Sequence, residues 1–251
     1  MKWKILCYHT VDPRQSESFA AQLRWFQNKG YRFTPFSEAF AKRTQPGGRC
    51  VSVTFDDGDW TACTVARKVL DHEGIRALLF LTTDYVTKSE TYAARVVRPA
   101  VTWDQLGCWL ESGHEIGSHT HTHADLTKCS AQELMDEVEL TREIIKEKLG
   151  VTPSHFSYPW GRYNDNVLRW FHSHPHWKSA VAVSGRSNNE QTDPFCLGRY
   201  PLTADSGLSE LRLTILPRAG RLLYRCYCRA LTRLRNNQRW IKSVRMGPLK
   251  G

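Results

Sequence analysis

No Cys-x-x-Cys pair occurs in the 251 residues despite eight cysteines, which argues against a zinc knuckle or a thiol redox motif. The thiols, at 7, 50, 63, 108, 129, 196, 226 and 228, are scattered as expected of reduced, mostly buried side chains in a cytosolic protein. Cys226 and Cys228, the close pair, are expected on a helix with diverging side chains. Nowhere do eighteen apolar residues run together, and the apolar run Ile5–Tyr8 is too short for a signal-peptide core. Neither a membrane span nor export is therefore expected. Internal repeats and low-complexity segments are also absent. Acidic residues are missing from Leu211–Gly251, which holds eleven Lys or Arg, so the net charge of +10 belongs to that tail. The preceding residues carry 24 bases against 25 acids and are nearly neutral, so any attraction to acidic partners concerns the tail.

What is present suffices for a large core, since 41% of the residues are hydrophobic and 11% aromatic. One barrel-sized domain fits, as do two small ones. Lys4–Thr10 predicts a short strand delivering His9. A helix is expected over Phe19–Lys29, a strand over Tyr31–Thr34 and a short helix over Ser37–Lys42. Thr61–His72 has the spacing of a helix, and Ile75–Thr82 is apolar enough for a strand buried on both faces. Further helices are predicted over Trp103–Ser112, from the capping box Ser130-x-x-Glu133 to Leu149, and over Asp165–His172. Strands are predicted through Glu115–Gly117, Phe156–Gly161 and Ser179–Val183. Such β/α alternation predicts a barrel or open sheet with its site at the C-terminal ends of the strands.

Two stretches carry chemistry. Val51–Gly58 alternates apolar and small polar residues, as a half-buried strand does, and stops on Asp56, Asp57 and a glycine. Adjacent carboxylates in a partly dry cleft need a nearby cation or a raised pKa, although the same letters also fit a plain turn. The second stretch places His114, His119, His121 and His123 within ten residues of a chain that has ten histidines. Zinc and similar cations take imidazole plus carboxylate, and a catalytic site needs three protein ligands with one position left open. Spacing alone leaves the geometry undecided. Residues i and i+4 share a helix face, whereas 119, 121 and 123 share a strand face.

Thr54-Phe55-Asp56-Asp57-Gly58, the His119-Thr-His-Thr-His123 segment and Phe156-Ser-Tyr-Pro159-Trp160-Gly161 together resemble the three motifs of the polysaccharide deacetylase family, carbohydrate esterases with a NodB homology domain. The resemblance spans about Ile5–Pro201. It implies a distorted (β/α) barrel of about seven strands and metal-dependent removal of acetyl from an N-acetylated sugar. Carried over by position, Asp57, His119 and His123 would hold a divalent metal, zinc first among the transition metals. Asp56 would be the general base taking a proton from the attacking water. The backbone N–H of Trp160 would face the developing oxyanion.

The chain departs from the common family pattern twice. The Leu-x-x-His type motif that usually supplies the general acid is missing after Val183, but Cys7-Tyr8-His9-Thr10-Val11 resembles a permuted branch that opens on a Tyr-His strand, which makes His9 the acid. Ser157 stands where the third motif usually has an arginine paired with the base, and Arg199 is expected to supply that charge, with Arg162 as the alternative. His121 is expected to be incidental, and His114 structural.

The expected organisation is a catalytic domain over 1–210 and a basic extension over 211–251. After Pro217 the extension has the spacing of an amphipathic helix, and residues 218–245 are expected to touch an anionic membrane from the cytoplasmic side. A terminal helix packed on the barrel with its arginines in solvent fits the spacing equally well. No recognition motif supports nucleic-acid binding. The expected activity is N-deacetylation of a surface-polysaccharide precursor on a lipid or nucleotide carrier. The rival readings are deformylation of a lipid-linked amino sugar and a carbohydrate-binding pseudoenzyme. The sequence does not specify the oligomeric state.

Overall fold

The structure, a computed structural model, describes residues 2–43, 48–88, 93 and 98–215. The expected membrane contact over 218–245 and the Cys226/Cys228 pair lie outside the described residues. Among the described residues eight parallel strands occur: β1 (Lys2–Tyr8), β2 (Arg32–Phe33), β3 (Arg49–Phe55), β4 (Ala77–Leu81), β5 (Glu115–Ser118), β6 (His155–Ser157), β7 (Ser179–Val183) and β8 (Leu197–Pro201). Pairing of β1 with both β3 and β8 closes seven of them into a barrel, and β2 adds to the outside of β3. Closure is uneven. β1 and β3 pair along their whole length, whereas β5 and β6 share one register pair, Ser118 with Phe156.

The helices that the apolar spacing predicts cover the barrel, with Thr83–Thr87 and Leu208–Ile215 in addition. They are α1 (Ser16–Asn28), α2 (Phe36–Ala41), α3 (Arg67–His72), α4 (Thr83–Thr87), α5 (Trp103–Glu111), α6 (Ala131–Leu149), α7 (Asp165–Ser173) and α8 (Leu208–Ile215). The capping box at Ser130 and Glu133 is formed, and Leu134, Val138 and Ile145 of α6 are buried. The helix expected over 61–72 is wound as a π-helix through Ala62–Ala66 before α3 begins. The boundary expected at 210 falls within α8, whose Leu211 and Ile215 pack into the main outer core.

The alternation in Val51–Phe55 predicts a half-buried strand, yet Ser52 and Thr54 are as buried as Val51, Val53 and Phe55. In a closed barrel one face of each strand lines the lumen and the other meets the helices, so neither is wet. Trp3, Ile5, Cys50, Leu78, Phe80, Val181 and Leu197 fill the lumen, with Phe36 and Phe40 of α2 packed against them. Gly117 is required there, because a Cβ would lie 2.5 Å from Phe80 Cδ1 and 3.0 Å from the His155 carbonyl.

Candidate active site

The polar end of the lumen is built from the strand ends. Asp56 extends the β1–β3 pairing, its N–H donating to the Tyr8 carbonyl at 3.0 Å, and its carboxylate is buried. Arg199 of β8, itself fully buried, donates from Nη1 to Oδ1 at 2.7 Å and from Nη2 to Oδ2 at 2.6 Å. This is a bidentate pair, the strongest geometry available to a guanidinium and a carboxylate. Nη2 also donates to Ser157 Oγ at 2.8 Å, and Ser157 Oγ donates to Asp56 Oδ2 at 3.2 Å. Burial works to raise the Asp56 pKa, but Arg199 and His119 outweigh it and hold the carboxyl down at about 2. Arg162 is elsewhere, on the surface with its Nη1 3.0 Å from Asp125 Oδ2.

Asp57 turns away from its neighbour. Its φ of 76° lies in the left-handed region, which non-glycine residues rarely adopt, and Gly58 follows at 109°. Asp57 Oδ1 is consequently 3.4 Å from both His119 Nε2 and His123 Nε2. Positive φ at Thr120 and at His123 itself folds the histidine segment so that both rings face this oxygen. The segment is neither helix nor strand, which resolves the spacing ambiguity. Two struts hold it. Thr82, just after β4, ties the two stretches by their backbones, its N–H donating to the Asp57 carbonyl at 3.1 Å and its hydroxyl to the His119 carbonyl at 3.0 Å. Glu137 of α6 accepts from Thr122 N–H at 2.9 Å and from its hydroxyl at 2.6 Å.

The donor set fits a divalent transition metal. Asp57 Oδ1 is buried without a hydrogen-bond partner. His119 Nδ1 lies 2.7 Å from the Ser157 carbonyl, so it carries the proton and leaves the Nε2 lone pair facing Asp57. Ligands about 2.1 Å from a shared tetrahedral ion lie about 3.4 Å from one another, the spacing seen here. Burial alone would raise the Asp57 pKa, but His119, His9 and His123 hold it below the ordinary carboxylate range. It is an anion ready to ligate.

His9 follows β1 and is exposed, and a ring nitrogen, an Asp56 oxygen and Cys7 Sγ lie within 4.8 Å of one another. Trp160 is half exposed, with φ 55° and its ring 4.4 Å from that of His123. His114 is structural as expected, accepting the Ala77 N–H at 3.0 Å and stacked on Trp109. His121 points to Thr83 Oγ1 at 2.9 Å, away from Asp57 and its two histidines. Sequence reasoning missed Thr82, Glu137 and the Cys7 thiol, which lies 3.7 Å from Asp56 Oδ2. Only the alternation that turns Cys7 and Asp56 into one lumen could have signalled the last.

Residues 43–176 match the profile of the polysaccharide deacetylase family. The chain is 28% identical to YxkH of Bacillus subtilis over 176 residues, covering 67% of this chain and 60% of that protein. It is 31% identical to the chitooligosaccharide deacetylase of a Bradyrhizobium species over 141 residues, 54% of this chain and 58% of the relative. The alignments thus span about three fifths of the length of these curated relatives. The fold resembles that of the Streptococcus pyogenes deacetylase PplD, with a TM-score of 0.72 at 21% identity over 86% of this chain and 99% of that one. His9 and Arg199 lie outside the profile match, whereas both carboxylates and both facing histidines lie within it. Since that match takes in more than half of the sequence, the chain belongs to the polysaccharide deacetylase family.

Proposed function

We propose that this protein is a metal-dependent N-deacetylase that hydrolyses the acetamide of an N-acetylamino sugar in a glycan or in its lipid- or nucleotide-linked precursor. The observation that carries this reading is the division of labour in the acid pair: Asp56 is locked to Arg199 while Asp57 faces two imidazoles. Asp57, His119 and His123 would hold the ion. When bound, a divalent ion supplies Lewis acidity for the acetamide carbonyl and lowers the pKa of water. Asp56, ionised at neutral pH through Arg199, takes the proton from the attacking water as the new C–O bond forms. The Trp160 N–H is proposed to donate to the developing oxyanion, and its exposed indole offers a face for the sugar ring. His9 is proposed to give a proton to the departing nitrogen as the C–N bond breaks, leaving acetate and a free amine.

The chitooligosaccharide named for one relative supports an N-acetylhexosamine substrate. A purely sugar-binding role rests on the missing motif arginine and the missing final histidine motif; the pairing of Arg199 with Asp56 supports the enzyme over it on the first count, and His9 is the candidate for the second. A cytoplasmic setting on the membrane face remains part of the proposal. It rests on the unpaired cysteines among the described residues and on the basic tail. Metal-loaded protein incubated with N-acetylated oligosaccharides and with lipid- and nucleotide-linked sugars is expected to release acetate. The Asp56→Asn variant should lose about 10²–10⁴-fold in rate while keeping its metal. Undiminished release by Asp56→Asn would remove Asp56 as the base.

A further inference from the structure

A cavity of about 880 Å³ opens at the other end of β1, and nothing in the proposed deacetylase chemistry uses it. Lys2 and Arg49 on its wall are register partners at the start of β1 and β3, whereas the Tyr8–Phe55 pair adjoins Asp56. At roughly 3.3 Å per residue these rows are ~20 Å apart. The cavity is therefore separate from the acid pair.

Its lining is one-signed. Lys2, Lys4, Lys29, Arg49, Arg186 and Arg212 face it, and no Asp or Glu does. Among the described residues none of these six side chains forms an ion pair with a carboxylate. What they contact is neutral: Arg186 donates to the Cys196 carbonyl at 3.2 Å, and Arg49 lies over the Tyr31 ring at 5.8 Å. Lys4 is the anchor. It is only 8% exposed, its Nζ donates to Ser187 Oγ at 2.9 Å and to Tyr200 Oη at 3.2 Å, and it lies 4.5 Å from the Tyr200 ring centroid. Burial, with Lys2 and Arg49 adding repulsion, pushes its pKa down to about 8.

Buried ammonium groups are ordinarily compensated by an anion. No Asp or Glu lines the cavity, although Glu190 follows Asn189 of its wall. The loop 185–189 that walls the cavity contributes Gly, Arg, Ser and two Asn, and Leu211–Gly251, which begins on the cavity's α8 wall, holds eleven bases and no acid. A single carboxylate would leave most of the charge unmatched, whereas phosphate groups present several oxygens and more than one charge, the pattern that forked guanidinium and ammonium donors fit. Trp25, Tyr31 and Ile215 supply an apolar flank for whatever the phosphate is attached to.

We propose that this cavity is a binding site for a phosphate-bearing anion, a diphosphate or the phosphodiester headgroup of a lipid, held by Lys4 and the surrounding cations at the end of the barrel opposite the acetamide chemistry. Isothermal titration of the full chain with inorganic pyrophosphate tests it. Saturable, salt-sensitive binding is expected, weakened about tenfold or more by Lys4→Met and by Arg49→Gln. Arg49 is exposed, so its substitution should leave the fold intact, and pyrophosphate should raise the Tm of the wild type more than that of the variant. Flotation with phosphatidylglycerol vesicles separates the two sources. Recovery that falls in Arg49→Gln and under pyrophosphate competition assigns the lipid headgroup. Unchanged recovery alongside lost pyrophosphate binding assigns a soluble phosphate. Absence of saturable binding, or equal affinity of wild type and both variants, overturns the proposal.

Discussion

Arg199 sets the state of Asp56, and its removal should be visible in the pH dependence of the reaction. Without the guanidinium, burial acts unopposed by its largest partner and the Asp56 pKa rises from about 2. A base works only when deprotonated, so the acidic limb of the kcat/KM profile of Arg199→Ala should move to higher pH. An unchanged limb would take Arg199 out of the mechanism. The same variant leaves a buried carboxylate unpaired, a cost of about 3–5 kcal/mol in stability, measurable by urea unfolding. Residue types made much of this legible in advance. Asp56, Asp57, His119 and His123 lie in two short segments whose composition is itself the signal. Arg199 was visible only as a candidate, because its partner is 143 positions away and the pairing exists only once β8 closes against β1. Ser157 looked like a loss, but its hydroxyl bridges Arg199 to Asp56 and its carbonyl fixes the His119 tautomer.

At the level of elements, positioning depends on short strands with exact packing beneath them. β5 has four residues, and it leads directly into His119. Gly117→Ala would push a methyl against Phe80 and the His155 carbonyl, and overpacking of this kind costs about 1–3 kcal/mol. The Tm is expected to fall by roughly 2–4 °C per kcal/mol, with metal affinity falling too because the His119 backbone must shift. A Tm and metal affinity equal to wild type would show that the lumen relaxes freely around Phe80. The predicted helices and most strands were legible because their apolar periods are regular. β8 was not, since Leu197–Pro201 contains an arginine whose burial depends on a distant aspartate. The histidine segment was illegible in another way. Positive φ at Thr120 and His123 has no glycine to announce it, so spacing alone left helix and strand both open.

For the whole molecule, closure into a barrel turns every lumen-facing polar group into a buried one, and two buried histidines make its stability sensitive to acid. His155 is pressed between Phe36 and Phe40 and hydrogen-bonded to Ser179 and Ser37, and burial, aided by Lys178, lowers its pKa from 6.5 to about 3. For His114, burial outweighs the opposing charge of Asp71 and gives about 4. Below about 6.5 the unfolded chain binds protons at these sites that the folded chain does not, so stability is fully present above that pH and declines as pH falls toward 4. The expected slope is ~1.4 kcal/mol per pH unit for each histidine. Urea midpoints across this range should flatten by one histidine's share in His155→Gln, and an identical slope would show that His155 titrates normally. No helix among the described residues is long and apolar enough to cross a membrane, and the basic segment beyond 215 lies outside them.

The central claim is that one carboxylate of the pair holds an ion and the other does the proton chemistry. It is tested most directly by measuring bound metal and acetate release together on the wild type, Asp56→Asn and Asp57→Ala. Chelation is expected to abolish release by the wild type and re-added divalent metal to restore it, while Asp57→Ala loses metal and activity together and Asp56→Asn keeps metal without activity. Acetate release that survives chelation, or an Asp57→Ala variant that retains both metal and activity, would contradict it.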